Sequence, residues 1–154
     1  MSAINIRRLQ CNTPEFESAA HWRHDAFFEE DGVPYKESRA QLHSLAANQD
    51  YEVALLATLY DAPAGLCLFV RHELEPKHDL TPWLASLIVA PEFRKHGVGT
   101  ALVRAIEAHA VSVGCKEMYL YTVGAEPYYA RLGWEARDRF ESKGEPFVLM
   151  ARVL

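Results

Sequence analysis

The run Arg94-Lys95-His96-Gly97-Val98-Gly99-Thr100 combines cations, glycines and a helix start, the ingredients of an anion site. It follows Leu84-Ala85-Ser86-Leu87-Ile88-Val89, an apolar run rich in branched residues and too short for a helix, which reads as a buried strand ended by Pro91. From Val98 onward, Ala101, Leu102, Ala105, Ile106 and Val113 fall on one helical face. The first amides of such a helix have no intrahelical partner and lie at the positive end of its dipole, so they can donate to phosphate oxygens. Gly97 and Gly99 remove side chains that would hold a diphosphate away from the backbone. A plain helix start with small residues for packing is the structural alternative. Two familiar phosphate motifs fit badly. The dinucleotide fingerprint needs glycine where Leu102 stands, and the Walker A loop needs Gly-Lys-Ser/Thr.

Other chemistry-bearing residues are more scattered. Pro127-Tyr128-Tyr129-Ala130-Arg131-Leu132-Gly133 predicts a helix of one to two turns, and spacing alone makes Tyr129 a core tyrosine. His21, His24 and Asp25 share one side of a helix, but no further ligand cluster is near and no metal is expected. Cys11, Cys67 and Cys115 are odd in number and lack C-x-x-C spacing, which suggests neither zinc nor a disulfide framework. The acidic loop from Glu29 to Tyr35 is a candidate binding loop. Glu30 and Tyr35, with Trp83 at the start of the central strand, are the expected substrate contacts.

These residues need a frame. Ile4-Asn5-Ile6 and Leu9 suggest a first strand, and Thr13-Pro14-Glu15 starts a helix that should run to about Glu30. A second helix spans Lys36 to Ala47. Tyr51 to Tyr60 and Gly65 to Val70 form a hairpin around Asp61-Ala62-Pro63-Ala64. Gly114 closes the long helix, Met118 to Thr122 is a strand, and Trp134 to Phe140 with Phe147 to Val153 make a closing hairpin. A strand, crossover helix and strand of this length imply parallel pairing.

At 154 residues, with 49% hydrophobic and 24% charged residues, the chain is most simply one α/β domain spanning 1–154. A net charge of -5 argues against a nucleic-acid surface and suits an amine-bearing substrate. No apolar stretch approaches the roughly 18 residues of a membrane span, and no signal-peptide core is present, so a reduced, cytoplasmic setting is expected. A homodimer is an open alternative to the monomer.

Val89-x-Pro91-x-x-Arg94-x-x-Gly97-Val98-Gly99-x-x-Leu102 resembles the acetyl-CoA-binding signature of the GNAT superfamily of N-acetyltransferases. Tyr128-Tyr129-Ala130-Arg131-Leu132-Gly133-Trp134 is similar to the second GNAT signature, in which the second aromatic carries the catalytic hydroxyl. The resemblance covers the C-terminal half, while Met1 to Arg71 match only in element order. It implies a GNAT fold: a mixed sheet of six to seven strands flanked by four helices, ordered β1-α1-α2-β2-β3-β4-α3-β5-α4-β6-β7. It implies acetyl-CoA as cofactor, with its diphosphate on amides of His96, Gly97, Val98, Gly99 and Thr100, and Arg94 and Lys95 adding charge. The pantetheine arm would pair with the strand edge at Leu87, Ile88 and Val89. Thr122 replaces the asparagine common in the family and becomes a further cofactor contact. Tyr129 would serve the leaving thiolate, with Tyr128 as its core partner. No glutamate stands on the central strand, so either water relays the amine's proton to Glu73, Glu75, His78 or Asp79, or an amine of depressed pKa needs no base. The implied activity is acetyl transfer to a primary amine of a small molecule or peptide in a ternary complex. A non-catalytic acyl-CoA sensor and a nucleotide-phosphate binder are the alternatives.

Overall fold

Most elements begin and end on local chemistry, and the exceptions are instructive. Thr13 caps the first helix, its side chain accepting from the Phe16 amide at 3.2 Å, and Pro14 takes the first helical position. That helix stops at Phe27 rather than near Glu30, because the amides of Phe28 and Glu29 both turn back to the His24 carbonyl, at 2.9 and 3.0 Å. The hairpin expected over Asp61–Ala64 instead turns at Tyr60 and Asp61, with φ of 49° and 67°, so Ala62 and Pro63 already lie in the strand. Proline is tolerated there because the pairing register shifts between Ala57 and Thr58.

The computed structural model describes residues 3–73 and 79–154. Its elements are β1 (Ile4–Arg8), α1 (Pro14–Phe27), α2 (Tyr35–Ala47), β2 (Val53–Leu59), β3 (Ala62–Val70), β4 (Trp83–Val89), α3 (Val98–Ser112), β5 (Glu117–Thr122), α4 (Glu126–Arg131), β6 (Glu135–Ser142) and β7 (Glu145–Val153), with a short 3-10 turn at Pro91–Phe93. One seven-stranded sheet has the order β1-β2-β3-β4-β5-β7-β6, so β7 lies between β5 and β6. The β4–β5 pair is parallel and the others are antiparallel. This is the α/β fold and element order that the resemblance implies.

Two apolar layers sandwich the sheet. Leu55, Ala57, Cys67, Phe69 and Leu84 pack with α3 through Val98, Leu102 and Ile106. Leu56, Leu66, Leu68 and Ala85 pack with α1 and α2 through Phe16, Ala19, Ala20 and Leu42. All seven residues of β2 are buried as a result, which explains its continuous apolar sequence.

The centre of the sheet is irregular. Along β4 the pairing with β3 runs Val89↔Gly65 and Ile88↔Leu66, then resumes at Ala85↔Leu68. Ser86 and Leu87 therefore both oppose Cys67. This is a β-bulge, with Ser86 held at φ 53°. On its other edge β4 pairs with β5 only at Trp83↔Tyr119, and beyond that point the two strands part.

The short helix α4 is held from behind by Glu107 of α3, a carboxylate only 8% exposed. Trp134 Nε1 donates to its Oε2 at 3.0 Å and Arg104 donates to its Oε1 at 2.9 Å. The same arginine reaches the Leu132 carbonyl at 2.9 Å, and Arg152 reaches that of Gly133 at 3.0 Å. Replacing Glu107 with alanine strands the buried indole N–H and should lower unfolding free energy by about 1–3 kcal/mol. Urea denaturation measures this, and an unchanged midpoint would show that the network does not hold α4.

Candidate functional site

The parting of β4 from β5 opens a cleft of about 810 Å³. Its walls include Leu87, Ile88 and Val89 of β4, Phe93, Arg94 and Lys95 of the turn, and Gly97, Val98, Gly99 and Thr100 at the start of α3. Ala26, Ala125 and Tyr128 complete it. The structure thus gathers nearly all the residues singled out for anion and strand-edge binding. His96 and Thr122 lie outside the lining.

The cleft is walled largely by apolar side chains, and one end of it is the start of α3. Gly97 adopts φ 85°, a left-handed conformation that favours glycine and lets the chain turn sharply into the helix. The first helical hydrogen bond runs from the Ala101 amide to the Gly97 carbonyl at 3.0 Å, so the amides of Val98, Gly99 and Thr100 precede it. No side chain caps them. A Cβ on Gly99 would come within 3.3 Å of Tyr128 Oη and 3.5 Å of Val89 Cγ2, narrowing the cleft at the start of α3. Arg94 Nε donates to the Val89 carbonyl at 3.4 Å, which holds the guanidinium at the cleft rim beside exposed Lys95. Unpaired amides, two cations and an open strand edge together suit an extended ligand with a diphosphate at one end.

The two tyrosines of α4 divide differently from expectation. Tyr128, expected as a core partner, lines the cleft, and its hydroxyl shares a 3.0 Å hydrogen bond with Thr100 Oγ1. Helical geometry turns adjacent residues about 100° apart, and the tandem aromatics alone do not say which one faces inward. Tyr129 is only 8% exposed and packs against Trp134 and Tyr128. Burial, then the nearby Cys67 and Tyr128, push its phenol pKa well up. Cys67 is the residue opposite the β4 bulge, so Tyr129 lies beneath the point where the strand buckles.

On the opposite face a second polar cluster flanks the split. Arg23 of α1 donates through Nε to Ser86 Oγ at 3.2 Å and through a terminal nitrogen to the Ser38 carbonyl at 3.3 Å. Tyr121 donates to Glu73 Oε1 at 3.4 Å. Loss of water raises the Glu73 carboxyl pKa, with Arg23 and the Tyr121 hydrogen bond pulling the other way. Desolvation lowers that of Arg23. Of the other proton acceptors considered, Asp79 stands near Tyr119, while Glu75 and His78 lie outside the described residues.

The three expected substrate contacts are placed elsewhere. Trp83 is fully buried, its Nε1 donating to the Leu80 carbonyl at 2.8 Å, so it supports the strand junction and offers no surface to a ligand. Tyr35 stacks on His21 at 4.3 Å and donates to Glu17, which draws it to the outer side of α1. Glu30 is exposed in the turn after α1 and outside the cleft lining. His24 shares a 2.8 Å hydrogen bond with Ser38 Oγ, and the described residues contain no group of three or more potential metal ligands.

A model of the acetyltransferase (GNAT) family matches residues 16–134. An aminoglycoside 6'-N-acetyltransferase solved in complex with coenzyme A is similar over 97% of this chain and 96% of its own, at 17% identity and a TM-score of 0.76. An aminoglycoside 6'-N-acetyltransferase from Enterococcus faecium is similar over 97% and 96%, at 18% identity and a TM-score of 0.73. A GCN5-related N-acetyltransferase from Kribbella flavida is similar over 99% and 98%, at 14% identity and a TM-score of 0.80. At such identities the likeness is one of fold. No curated protein sequence matches the chain.

The burial of Tyr129 has a direct spectroscopic consequence. Because its pKa is raised, the hydroxyl should stay protonated through the range near pH 10 where an ordinary tyrosine ionises. The phenolate absorbance of the native protein minus that of Tyr129→Phe should show no transition there. A difference titrating at or below pH 10 would contradict the buried placement.

Proposed function

This chain belongs to the acetyltransferase (GNAT) family, and from that premise we propose that it moves an acetyl group from acetyl-CoA to a primary amine of a small molecule or peptide. Attack is direct, with both substrates bound. The observation that carries the reading is the unpaired edge of β4 running straight into the uncapped amides of α3.

The residues present fit the cofactor. Amides of Val98, Gly99 and Thr100 would hold the diphosphate, helped by the helix dipole and by Arg94 and Lys95. Peptide groups of Leu87 to Val89 would pair with the amide-bearing arm as an added strand. When bound, acetyl-CoA supplies an activated thioester carbonyl. The protein's task is to align that carbonyl with an amine and to stabilise the charge that develops.

Tyr129, which lies behind the cleft lining and not on it, is the residue proposed to serve the departing sulfur. An ordinary phenol has a pKa of about 10 against about 8.5 for a thiol, which makes full proton transfer uphill by about 2 kcal/mol. The raised pKa of Tyr129 steepens that slope. Its role is therefore to donate a hydrogen bond to the sulfur while keeping its proton. Tyr128 and Thr100, joined by their hydroxyls, would shape the wall nearer the diphosphate.

Two substitutions separate these roles. Gly99→Val should weaken CoA binding at least about tenfold in calorimetry without a lower melting temperature, since it fills the cleft wall rather than the core. Retained affinity would contradict the cofactor path. Tyr129→Phe should lower thiol release by about a hundredfold or more with little change in CoA affinity. Equal turnover would remove Tyr129 from the chemistry, and CoA binding without thiol release from any amine would favour a sensor.

A further inference from the structure

We infer that Glu73 accepts the proton of the incoming amine, in an acceptor site walled by Tyr121, Phe147 and Phe140 that takes primary amines carrying an aromatic or similarly flat apolar body. This deepens the acyl-transfer reading above and rests on it.

β4 and β5 meet at Trp83↔Tyr119, and Tyr121 on β5 and Ser86 on β4 are the polar side chains just beyond that junction, flanking the mouth of the split. Glu73 is joined to this mouth by the Tyr121 hydroxyl at 3.4 Å. The cofactor path begins at Leu87, the residue after Ser86, so the Arg23–Ser86 contact and the cleft share one stretch of β4.

The charge of Arg23 acts on Glu73, yet its hydrogen bonds go to Ser86 and Ser38 while its guanidinium lies 4.6 Å over the Phe28 ring. Among the described residues Glu73 accepts its hydrogen bond from Tyr121 and none from Arg23, which leaves a carboxylate oxygen for an ammonium group. Among the described residues, the groups acting on the Glu73–Tyr121 pair are Arg23 from α1 and Asp31 from the following loop, and Asp31 is itself paired with Lys143 of the β6–β7 turn at 3.1 Å.

The wall beside Tyr121 is aromatic. Tyr121 meets Phe147 edge to face at 5.4 Å, and Phe147 stacks on Phe140 at 5.4 Å and 12°. All three rings are half-buried. Since α1 and α2 pack on β2, β3 and β4, this aromatic row on β5, β7 and β6 continues the face beyond their cover. Flat rings beside a carboxylate suit an amine whose body is itself flat and apolar.

The step balances simply. The ammonium N–H bond breaks and its electron pair stays on nitrogen, while a carboxylate oxygen of Glu73 gains the O–H bond. The amine is left neutral and Glu73 is left as the acid, which returns its proton to water. Glu73 is exposed as a residue, and the protein packed around its carboxylate raises that group's proton affinity, the direction a base for this task requires. The sign is fixed: binding of the ammonium form should fail as pH falls through the raised pKa.

Calorimetric titration of phenethylamine, with and without CoA, tests the site in the native protein, Glu73→Gln and Tyr121→Phe. Glu73→Gln should weaken the amine at least about tenfold and flatten its pH dependence below neutrality, with melting temperature and CoA affinity unchanged. Tyr121→Phe should cost about two- to tenfold, and ethylamine should bind more weakly than phenethylamine. Equal affinity of the native protein and Glu73→Gln, or no binding of phenethylamine to the native protein, overturns the inference. Failure of CoA to bind would instead remove the acyl-transfer reading, and the titration without CoA would still decide the amine site.

Discussion

A strand in the middle of a sheet ordinarily has both edges satisfied by its neighbours, because buried peptide groups left without partners are costly. β4 breaks that rule in a controlled way. One edge pairs with β3, while the other leaves β5 after a single registered pair, Trp83↔Tyr119. The bulge at Ser86 and Leu87 supplies the bend, and the buried Trp83 holds the strands together where they still touch. The result is a row of peptide groups facing a cleft, whose partners must come from water or from a ligand. The site follows from this one irregularity: the same strand delivers its open edge to the cleft, its end to the anion-binding turn and its bulge to the polar cluster on the opposite face.

The machinery on either side of the split is held by different means. On the α3 side the supports are buried and ionic. Glu107 ties Trp134 and, through Arg104, the Leu132 carbonyl, so the short α4 carries its two tyrosines on a fixed base. A six-residue helix would not keep such an orientation by itself. On the α1 side the supports are hydrogen bonds between distant segments, Arg23 with Ser86 and Tyr121 with Glu73, which a ligand can compete for. Rigid positioning behind the cleft and replaceable polar contacts in front of it are what a transfer between two bound partners needs.

Legibility in the sequence followed the range of the interactions. Pro91 ending β4, Gly97 turning into α3 and Thr13 capping α1 act within a few residues, and each was readable in place. The β4 bulge was not, since Ser86 stands in an apolar run whose pattern gives no hint that Ser86 and Leu87 share one partner. Arg23 and Ser86 are 63 residues apart, and nothing local marks either as the other's partner. Trp83 invited a surface role by its type, but the strand junction buries it completely. Tyr128 and Tyr129 were both visible, while their division between cleft and core depends on how α4 is rotated by Trp134 and Glu107 behind it.

The central claim is that the open β4 edge and the α3 amides receive coenzyme A. Amide hydrogen exchange measured with and without CoA addresses those groups individually. The account predicts slower exchange at residues 87–89 and 98–100, with the β6–β7 hairpin unchanged. Binding of CoA that leaves those amides exchanging at their free rate, with protection appearing elsewhere, would contradict it.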